Sequence, residues 1–486
     1  MAIIDAALTA IAKAPKGAKT LAIFDFDGTI IAGYSPLFTL REQYNRGDID
    51  KKALWDIVMQ LFAHRAGLID DQRLMEIGAG LVKGWSEQDF LELCDAIYRK
   101  HIFRRIYPEM RQIIAAHQKQ GHTVILASSS PEQMLIATAK EFGIKYVLSS
   151  HYQIEDGEFT GEVAMPVCWG YGKRLAVERL AADLKAPLKK AFFYSDSDDD
   201  LPLLEKVGHP VPVNPNQGLE EAANNAGWRH YAFASRRSGL TEFMRCLGLY
   251  GSLFGSYLVA KVIARLAKDQ TEGRRYMVAS FTNSLCAITG IKIELKGAEH
   301  LRNYKPRVVI FNHQSQADGL IVMKLLGENF AAIGKDAFGK LKPLADAYKY
   351  VGIIPIDRSN SKSAIEAMQP LVDAIKKEGR SVAIAPEGTR STSYLPGPFK
   401  KGAFHLALDA GVEILPIVFH NSADAQPKGD ILFHPATVKV EVLPPVSTAD
   451  WERENIDFHI KQVRDQFIAT LNAERPALPG PVAVNL

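Results

Sequence analysis

"TLAIFDFDGTI", residues 20–30, is an apolar run that ends on two carboxylates and a glycine. The β-branched and aromatic content of Thr20–Phe26 predicts a short buried strand. Residues two apart on a strand share a face, so Asp25 and Asp27 would point into one crevice at its exit. Gly28 then permits a tight turn. Open parallel sheets bind ligands at the carboxyl ends of their strands, which makes this exit a candidate site. One carboxylate there can attack phosphorus while the other handles a proton.

Further strands are predicted at "HTVILAS" (122–128), "KYVLSS" (145–150) and "KKAFFYSD" (189–196), with helical patterns between them. Such alternation predicts an α/β fold with a Rossmann-like parallel sheet. The mostly helical stretch from about 34 to 106 interrupts the alternation after the first strand. At "YSDSDDDLP", residues 194–202, four aspartates fall within five positions. Carboxylates crowded near a phosphate would repel it. A Mg²⁺ ion, which takes oxygen ligands and bridges carboxylate to phosphate, relieves that repulsion. Asp198 and Asp199 read as solvated loop residues.

A second α/β pattern begins near Lys292, with strands predicted at "RVVIFN", "VGIIPI", "SVAIAP" and "EILPIVF". Its first strand delivers "NHQSQAD", in which His313 and Asp318 are five apart. On a regular helix that spacing leaves them roughly 140° apart, so a turn or helix entry must intervene if they are to meet. A neutral histidine can take a proton from a hydroxyl while a carboxylate fixes its tautomer. Arg358, Arg390, Lys400 and Lys401 fall near other predicted strand exits and loops, which suggests an anionic, phosphorylated ligand.

The length of 486 residues implies two or three domains. The expected organisation is a first domain at 1–240, an apolar helical linker or membrane-interface segment at 241–290, a second α/β domain at 291–475, and a Pro-rich tail at 476–486. A net charge of +3 gives no general case for nucleic acid as a partner. Four dispersed cysteines make neither a disulfide framework nor a paired metal motif, which fits a reducing cytoplasm. No signal peptide is read at the N-terminus. "CLGLYGSLFGSYLVA", residues 246–260, is uncharged but shorter than the roughly 20 residues a membrane span needs. It reads as a buried core or linker helix, or as a helix at a membrane surface.

"DFDGT" (25–29), "ILASSS" (125–130), Lys173 in "GYGKRL" and "SDSDDDLPLL" (195–204) together resemble the four motifs of haloacid dehalogenase superfamily phosphatases, of the phosphoserine phosphatase-like type. The resemblance implies Asp25 as nucleophile forming an aspartyl-phosphate and Asp27 as acid and base. It further implies Ser128 and Lys173 as phosphate-binding groups, and Asp25, Asp27, Asp196 and Asp200 about a Mg²⁺ ion. It places a helical cap at about 34–106. Phosphoserine phosphatases carry acidic residues soon after the first motif. Here "IIAGYSPLF" supplies none before Glu42, which counts against phosphoserine itself.

"NHQSQAD" (312–318), "GIIPIDR" (352–358), "PEGTRS" (386–391) and "ILPIVF" (414–419) resemble the blocks of the glycerolipid acyltransferases, of the 1-acyl-sn-glycerol-3-phosphate acyltransferase type. On that resemblance His313 is the general base and Asp318 its partner. Arg358, Glu387, Gly388, Thr389, Arg390 and Lys401 would bind or orient the acceptor. The donor would be acyl-CoA or acyl carrier protein, the acceptor a lysophospholipid, and the step would need no metal. A lipid acceptor favours a membrane surface as partner and a cytoplasmic protein held at the inner face of the cell membrane. The expected protein is thus a bifunctional phosphatase and acyltransferase of phospholipid synthesis. Two other readings make the first half a regulatory or lipid-phosphate-binding module, or make the chain a soluble metabolite phosphatase with an inert second half.

Overall fold

The computed structural model describes residues 2–65, 69, 71–236, 240–302, 305–334, 342–355, 368–473 and 482–483. The chain forms two compact units, one of Met1–Arg236 with Arg475–Leu486, the other of Arg237–Glu474.

In the first unit the strands are β1 (Leu21–Phe24), β2 (Thr123–Pro131), β3 (Tyr146–Ser150), β4 (Tyr152–Glu155), β5 (Glu158–Val163), β6 (Phe192–Ser195) and β7 (His209–Pro212). The main sheet is parallel, in the order β3-β2-β1-β6-β7, and a two-residue strand at Val482–Ala483 pairs with the outer side of β3. The Pro-rich tail therefore contributes a short strand. Leu21 and Ile23 of β1 pack with Ile125 and Ala127 of β2 against Ala176, Val177 and Leu180 of helix Gly170–Asp183. β1 sits mid-sheet with all four residues buried, as the apolar run requires. The ladder continues one residue further, because the Asp25 N–H donates to the Tyr194 carbonyl at 2.9 Å.

The stretch where the cap was expected carries the α-helices Ser35–Arg46, Lys51–Arg65, Asp71–Gly80 and Glu87–Ile97. The sequence reading missed a hairpin that joins them. β4 and β5 pair antiparallel, and Tyr152 and Val163 pack on Met75 and Ala79 of helix Asp71–Gly80. Its turn is Asp156–Gly157, with φ of 52° and 84°. An Asp-Gly pair with positive φ at both positions is the signature of a two-residue hairpin turn.

In the second unit the strands are β8 (Lys292–Lys296), β9 (Val308–Phe311), β10 (Phe330–Gly334), β11 (Ile353–Pro355), β12 (Ser381–Ile384), β13 (Ile414–Phe419) and β14 (Thr437–Val442). They form one sheet in the order β11-β10-β12-β9-β13-β14-β8, antiparallel only at β13–β14. One face carries helix Gln316–Leu326 through Ala317, Ile321 and Val322. The other carries helices Gln369–Lys376, Gly402–Ala410 and Ile456–Ala473.

The apolar stretch expected to span residues 246–260 is the middle of a 28-residue helix, Leu240–Ala267. Arg245 and Lys261 read as its limits, but a charged side chain does not stop a helix when its head reaches water. At about 1.5 Å per residue it is roughly 42 Å long, and among the described residues it is the one helix long and apolar enough to cross a membrane. It pairs with helix Gln270–Thr289, and both belong to the second unit rather than standing apart as a linker. Leu249, Leu253 and Ala260 of the first, with Val278, Phe281 and Leu285 of the second, join the sheet's core. Phe243, Leu247, Phe254, Leu258 and Val262 form the opposite stripe and stay exposed.

Candidate active sites

Three chain segments meet at the exit of β1. Asp25 ends the strand, Lys173 enters from the first turn of helix Gly170–Asp183, Asp196 follows β6, and Asp200 closes the short turn Asp198–Asp200. Lys173 Nζ donates to Asp25 Oδ1 and to Asp200 Oδ2, both at 2.8 Å. Asp200 Oδ2 also accepts from Ser195 Oγ at 2.6 Å. Asp200 thereby anchors the lysine. Burial pulls the Lys173 pKa down, but the carboxylates of Asp200 and Asp25 outweigh it and hold the ammonium charged.

Asp27 faces the cap side. The Ser35 N–H donates to Asp27 Oδ1 at 2.6 Å, Ser35 Oγ to Oδ2 at 2.7 Å, and Ser130 Oγ to Oδ2 at 3.4 Å. Burial pushes the Asp27 carboxyl up to about 7, against these hydrogen bonds. Burial also raises Asp25, to about 6, with Lys173 opposing. Asp196 is raised well above the carboxylate range by burial and by repulsion from Asp25, Asp200 and Asp27. Gly28 makes this crowding possible, because a Cβ there would stand 1.9 Å from Asp196 Oδ2. Ser128 is buried, and its Oγ accepts from the Ser130 N–H at 3.1 Å. Asp198 and Asp199 are exposed, as read from the sequence, and Asp198 accepts from Asn216 Nδ2 at 2.6 Å.

The donors fit a hard cation such as Mg²⁺. They are all oxygens, and Asp196 is destabilised as an anion until a cation arrives. Among the described residues no three His, Cys, Asp or Glu side chains form a ready-made cage. Mg²⁺ does not ask for one, since it keeps several waters and binds through one or two carboxylates plus a substrate phosphate. Asp25 and Asp196 are the pair available for that. One oxygen of Asp200 is occupied by Lys173 and Ser195, and both oxygens of Asp27 by Ser35.

In the second unit His313 and Asp318 meet although they are five apart. The helix starts only at Gln316, with Ser315 as its N-cap, so His313 lies on the turn before it. His313 Nδ1 stands 2.9 Å from Asp318 Oδ2, and the same oxygen accepts the N–H groups of Gln314 and Ser315 at 2.8 Å each. A carboxylate oxygen can only accept, so Nδ1 carries the hydrogen and Nε2 is left with a lone pair. The His313 side chain is 25% exposed and that of Asp318 0%. The imidazole is reachable and its carboxylate partner is sealed. Asn312 fixes the strand end by exchanging two hydrogen bonds with the Phe419 backbone, at 2.9 and 2.7 Å.

The loop 386–391 folds against this turn. Glu387 Oε1 accepts from the His313 N–H and Oε2 from the Gly397 N–H, both at 2.8 Å. The Ser391 N–H donates to the His313 carbonyl at 2.6 Å. Glu387 is thus committed to holding the loop against the histidine, and burial raises its pKa. Arg390 is half-buried, burial lowers its pKa, and its Nη1 has no hydrogen-bond partner among the described residues. Thr389 is exposed beside it.

Lys401, a candidate from the sequence, points elsewhere: its Nζ pairs with Asp457 Oδ2 at 2.8 Å on an exposed surface. Its neighbour Lys400 comes to the loop instead. A Cβ on Gly388 would stand 2.8 Å from Lys400 Nζ, so the ammonium occupies the space that the glycine leaves. Nothing in "FKKGAF" tells the two lysines apart before the start of helix Gly402–Ala410 is fixed. Arg358 lies outside the described residues.

Residues 22–205 match the haloacid dehalogenase-like hydrolase family, and residues 292–420 match the acyltransferase family. A protein of Mycobacterium tuberculosis described as a probable phosphatase is 34% identical over 220 residues, covering 45% of this chain and 76% of its own. A 1-acyl-sn-glycerol-3-phosphate acyltransferase of Limnanthes douglasii is 35% identical over 191 residues, covering 39% of this chain and 67% of its own. The chain thus spans about two thirds of that plant enzyme. The solved 1-acyl-sn-glycerophosphate acyltransferase PlsC of Thermotoga maritima aligns with TM-score 0.40 and 20% identity, covering 48% of this chain and 97% of that one. The chain belongs to the haloacid dehalogenase-like hydrolases through its first unit and to the acyltransferases through its second. It is a two-domain enzyme, a phosphatase and an acyltransferase.

Proposed function

We propose that the second unit transfers an acyl group from acyl-CoA or acyl carrier protein to the free hydroxyl of a 1-acyl-glycerol 3-phosphate. The carrying observation is the exposed imidazole of His313 hydrogen-bonded to a fully sealed Asp318. His313 Nε2 takes the hydroxyl proton as the oxygen attacks the thioester carbonyl. The C–S bond breaks, and the proton passes to the departing thiol. Asp318 holds the tautomer and stabilises the imidazolium. Arg390 and Lys400 receive the acceptor's phosphate. Thiol release with lysophosphatidic acid and an acyl-CoA tests this. His313→Ala lowers kcat by about 10²–10⁴-fold, and a variant with full activity refutes the assignment.

The first unit, on the same reading, hydrolyses phosphomonoesters. Asp25 attacks phosphorus, the bond to the leaving oxygen breaks, and Asp27 protonates that oxygen. Asp27 then takes a proton from the water that splits the aspartyl-phosphate. Ser128 and Lys173 hold the phosphoryl oxygens. A Mg²⁺ ion held by Asp25 and Asp196 would offset the charge of phosphate and carboxylates. Phosphate release by Asp25→Asn tests it, and undiminished turnover rules it out.

The exposed stripe Phe243, Leu247, Phe254, Leu258 and Val262 supports peripheral binding to the inner face of the cell membrane, where a lipid acceptor resides. Flotation with anionic vesicles checks this, comparing the wild type with a Phe243→Ser, Leu247→Ser, Leu258→Ser variant.

A further inference from the structure

Under the cap of the first unit lies a cavity of about 760 Å³, counting its open mouth. It reaches Ser35 and Ser130, the two side chains that hydrogen-bond Asp27, and from there runs between the cap helices. Its depth is apolar, lined by Leu40, Ile57, Leu61, Leu74, Met75 and Phe90. None of its described lining residues is an acid, a lysine or an arginine. Glu42, the first acid after Asp27 in the sequence, is not among them. It is buried and hydrogen-bonded to Lys100, with His101 Nε2 at 3.5 Å and Arg46 Nε at 3.6 Å.

One polar side chain interrupts the apolar wall. Gln43 is 0% exposed, lines the cavity, and both its Oε1 and Nε2 lack a hydrogen-bond partner among the described residues. A buried primary amide with neither end satisfied is destabilising, because its desolvation goes uncompensated. A ligand in the cavity would satisfy it.

Resting on the phosphatase reading above, we propose that this site takes a phosphomonoester bearing a single alkyl or acyl chain. The phosphate sits at Asp25, the chain fills the cavity beneath the cap, and Gln43 hydrogen-bonds an ester or hydroxyl group near the head of the chain. A small zwitterionic phosphomonoester finds no carboxylate there for its ammonium and leaves Gln43 and the apolar wall uncovered. Hydrolysis of the chain-bearing ester breaks its P–O bond, consumes one water and yields inorganic phosphate and the chain-bearing alcohol.

The test is phosphate release by the full chain with Mg²⁺ from ethyl, butyl, hexyl and octyl phosphate and from phosphoserine, with no acyl donor present. Each buried methylene should raise kcat/KM about three- to fourfold until the cavity is filled. Leu81→Trp, which fills part of the cavity, lowers the octyl-to-ethyl ratio at least tenfold. Gln43→Leu lowers kcat/KM for hexanoyl-glycerol phosphate relative to octyl phosphate. A flat chain-length series, or phosphoserine outrunning octyl phosphate, overturns the proposal while leaving the phosphatase reading intact. Phosphate release from none of these esters, or equal release by Asp25→Asn, overturns both. The wild-type series decides the matter even if either variant fails to fold.

Discussion

Asp318 Oδ2 sits 2.9 Å from His313 Nδ1 and accepts two backbone N–H groups besides. One buried oxygen therefore caps a helix, closes a turn and orients an imidazole. In Asp318→Asn an amide oxygen can still accept the backbone donors, but it carries no charge to stabilise the imidazolium. The expected result is a fall in kcat of about 10²–10⁴-fold with little change in KM for the acceptor. Steady-state kinetics of acyl transfer measures both. A change confined to KM would show that Asp318 acts only through substrate binding.

Lys173 is the cation between Asp25 and Asp200, and all three are buried. Lys173→Met leaves two carboxylates in a dry site without their partner, at a cost of about 3–5 kcal/mol. Chemical denaturation of the variant should show a weakened first-unit transition, alongside loss of phosphate release. Acyl transfer, which uses none of these residues, should persist. In the wild type, chelating Mg²⁺ should lower the melting temperature, because Asp25 and Asp196 are left to repel. Calorimetry with and without the ion checks this.

The two adjacent lysines of "FKKGAF" separate by partner. Lys400 Nζ lies over Gly388 in the loop 386–391, whereas Lys401 is tied to Asp457 at the surface. Lys400→Ala should raise KM for lysophosphatidic acid about tenfold, the scale of one charge-assisted hydrogen bond. Lys401→Ala should stay within about twofold, since exposed pairs contribute roughly 0–1 kcal/mol. Equal effects from the two variants would remove Lys400 from the site.

The parts most legible in the sequence were those in which chemistry and fold coincide. "AIFDFDGT" shows a buried strand and the two carboxylates at its exit in one stretch, and "NHQSQAD" shows an imidazole and its carboxylate partner. The strands β7, β8, β10 and β14 were not foreseen. β8 is exposed or half-exposed along its whole length, and Lys292, Glu294 and Lys296 alternate in it with apolar residues. A strand at a sheet edge needs no apolar run, so its sequence does not announce it. The split between Lys400 and Lys401, and the binding of Glu387 to two backbone N–H groups, depend on loop geometry. Residue type alone does not give that. Gln43 was invisible as well, because a glutamine on a helix is ordinarily exposed.

A chain of imidazoles in the first unit makes its stability depend on pH. His117 Nε2 lies 2.8 Å from the Tyr194 hydroxyl, His117 Nδ1 2.8 Å from His122 Nδ1, and His122 Nε2 3.1 Å from the Pro15 carbonyl. The carbonyl can only accept, so His122 Nε2 carries hydrogen and a neutral His122 has its lone pair on Nδ1. His117 then donates through Nδ1 and accepts the tyrosine hydroxyl. Protonating His122 would set two N–H groups against each other, and protonating His117 would require the Tyr194 hydroxyl to turn from donor to acceptor. Burial lowers the pKa of His117 well below its usual value, with His122 and His209 adding to the effect, and burial lowers His122 and His209 too. The unfolded chain binds protons on these groups at higher pH than the folded chain does. Their neutral packing is therefore intact above the unfolded pKa of about 6.5. It is lost as pH falls below that value, at up to about 1.4 kcal/mol per pH unit for each histidine. Urea denaturation of the first-unit transition across about pH 5–8 should show stability rising with pH. His117→Gln should flatten the slope, because a neutral amide cannot take up the proton; an unchanged slope in that variant would exclude His117 as its source.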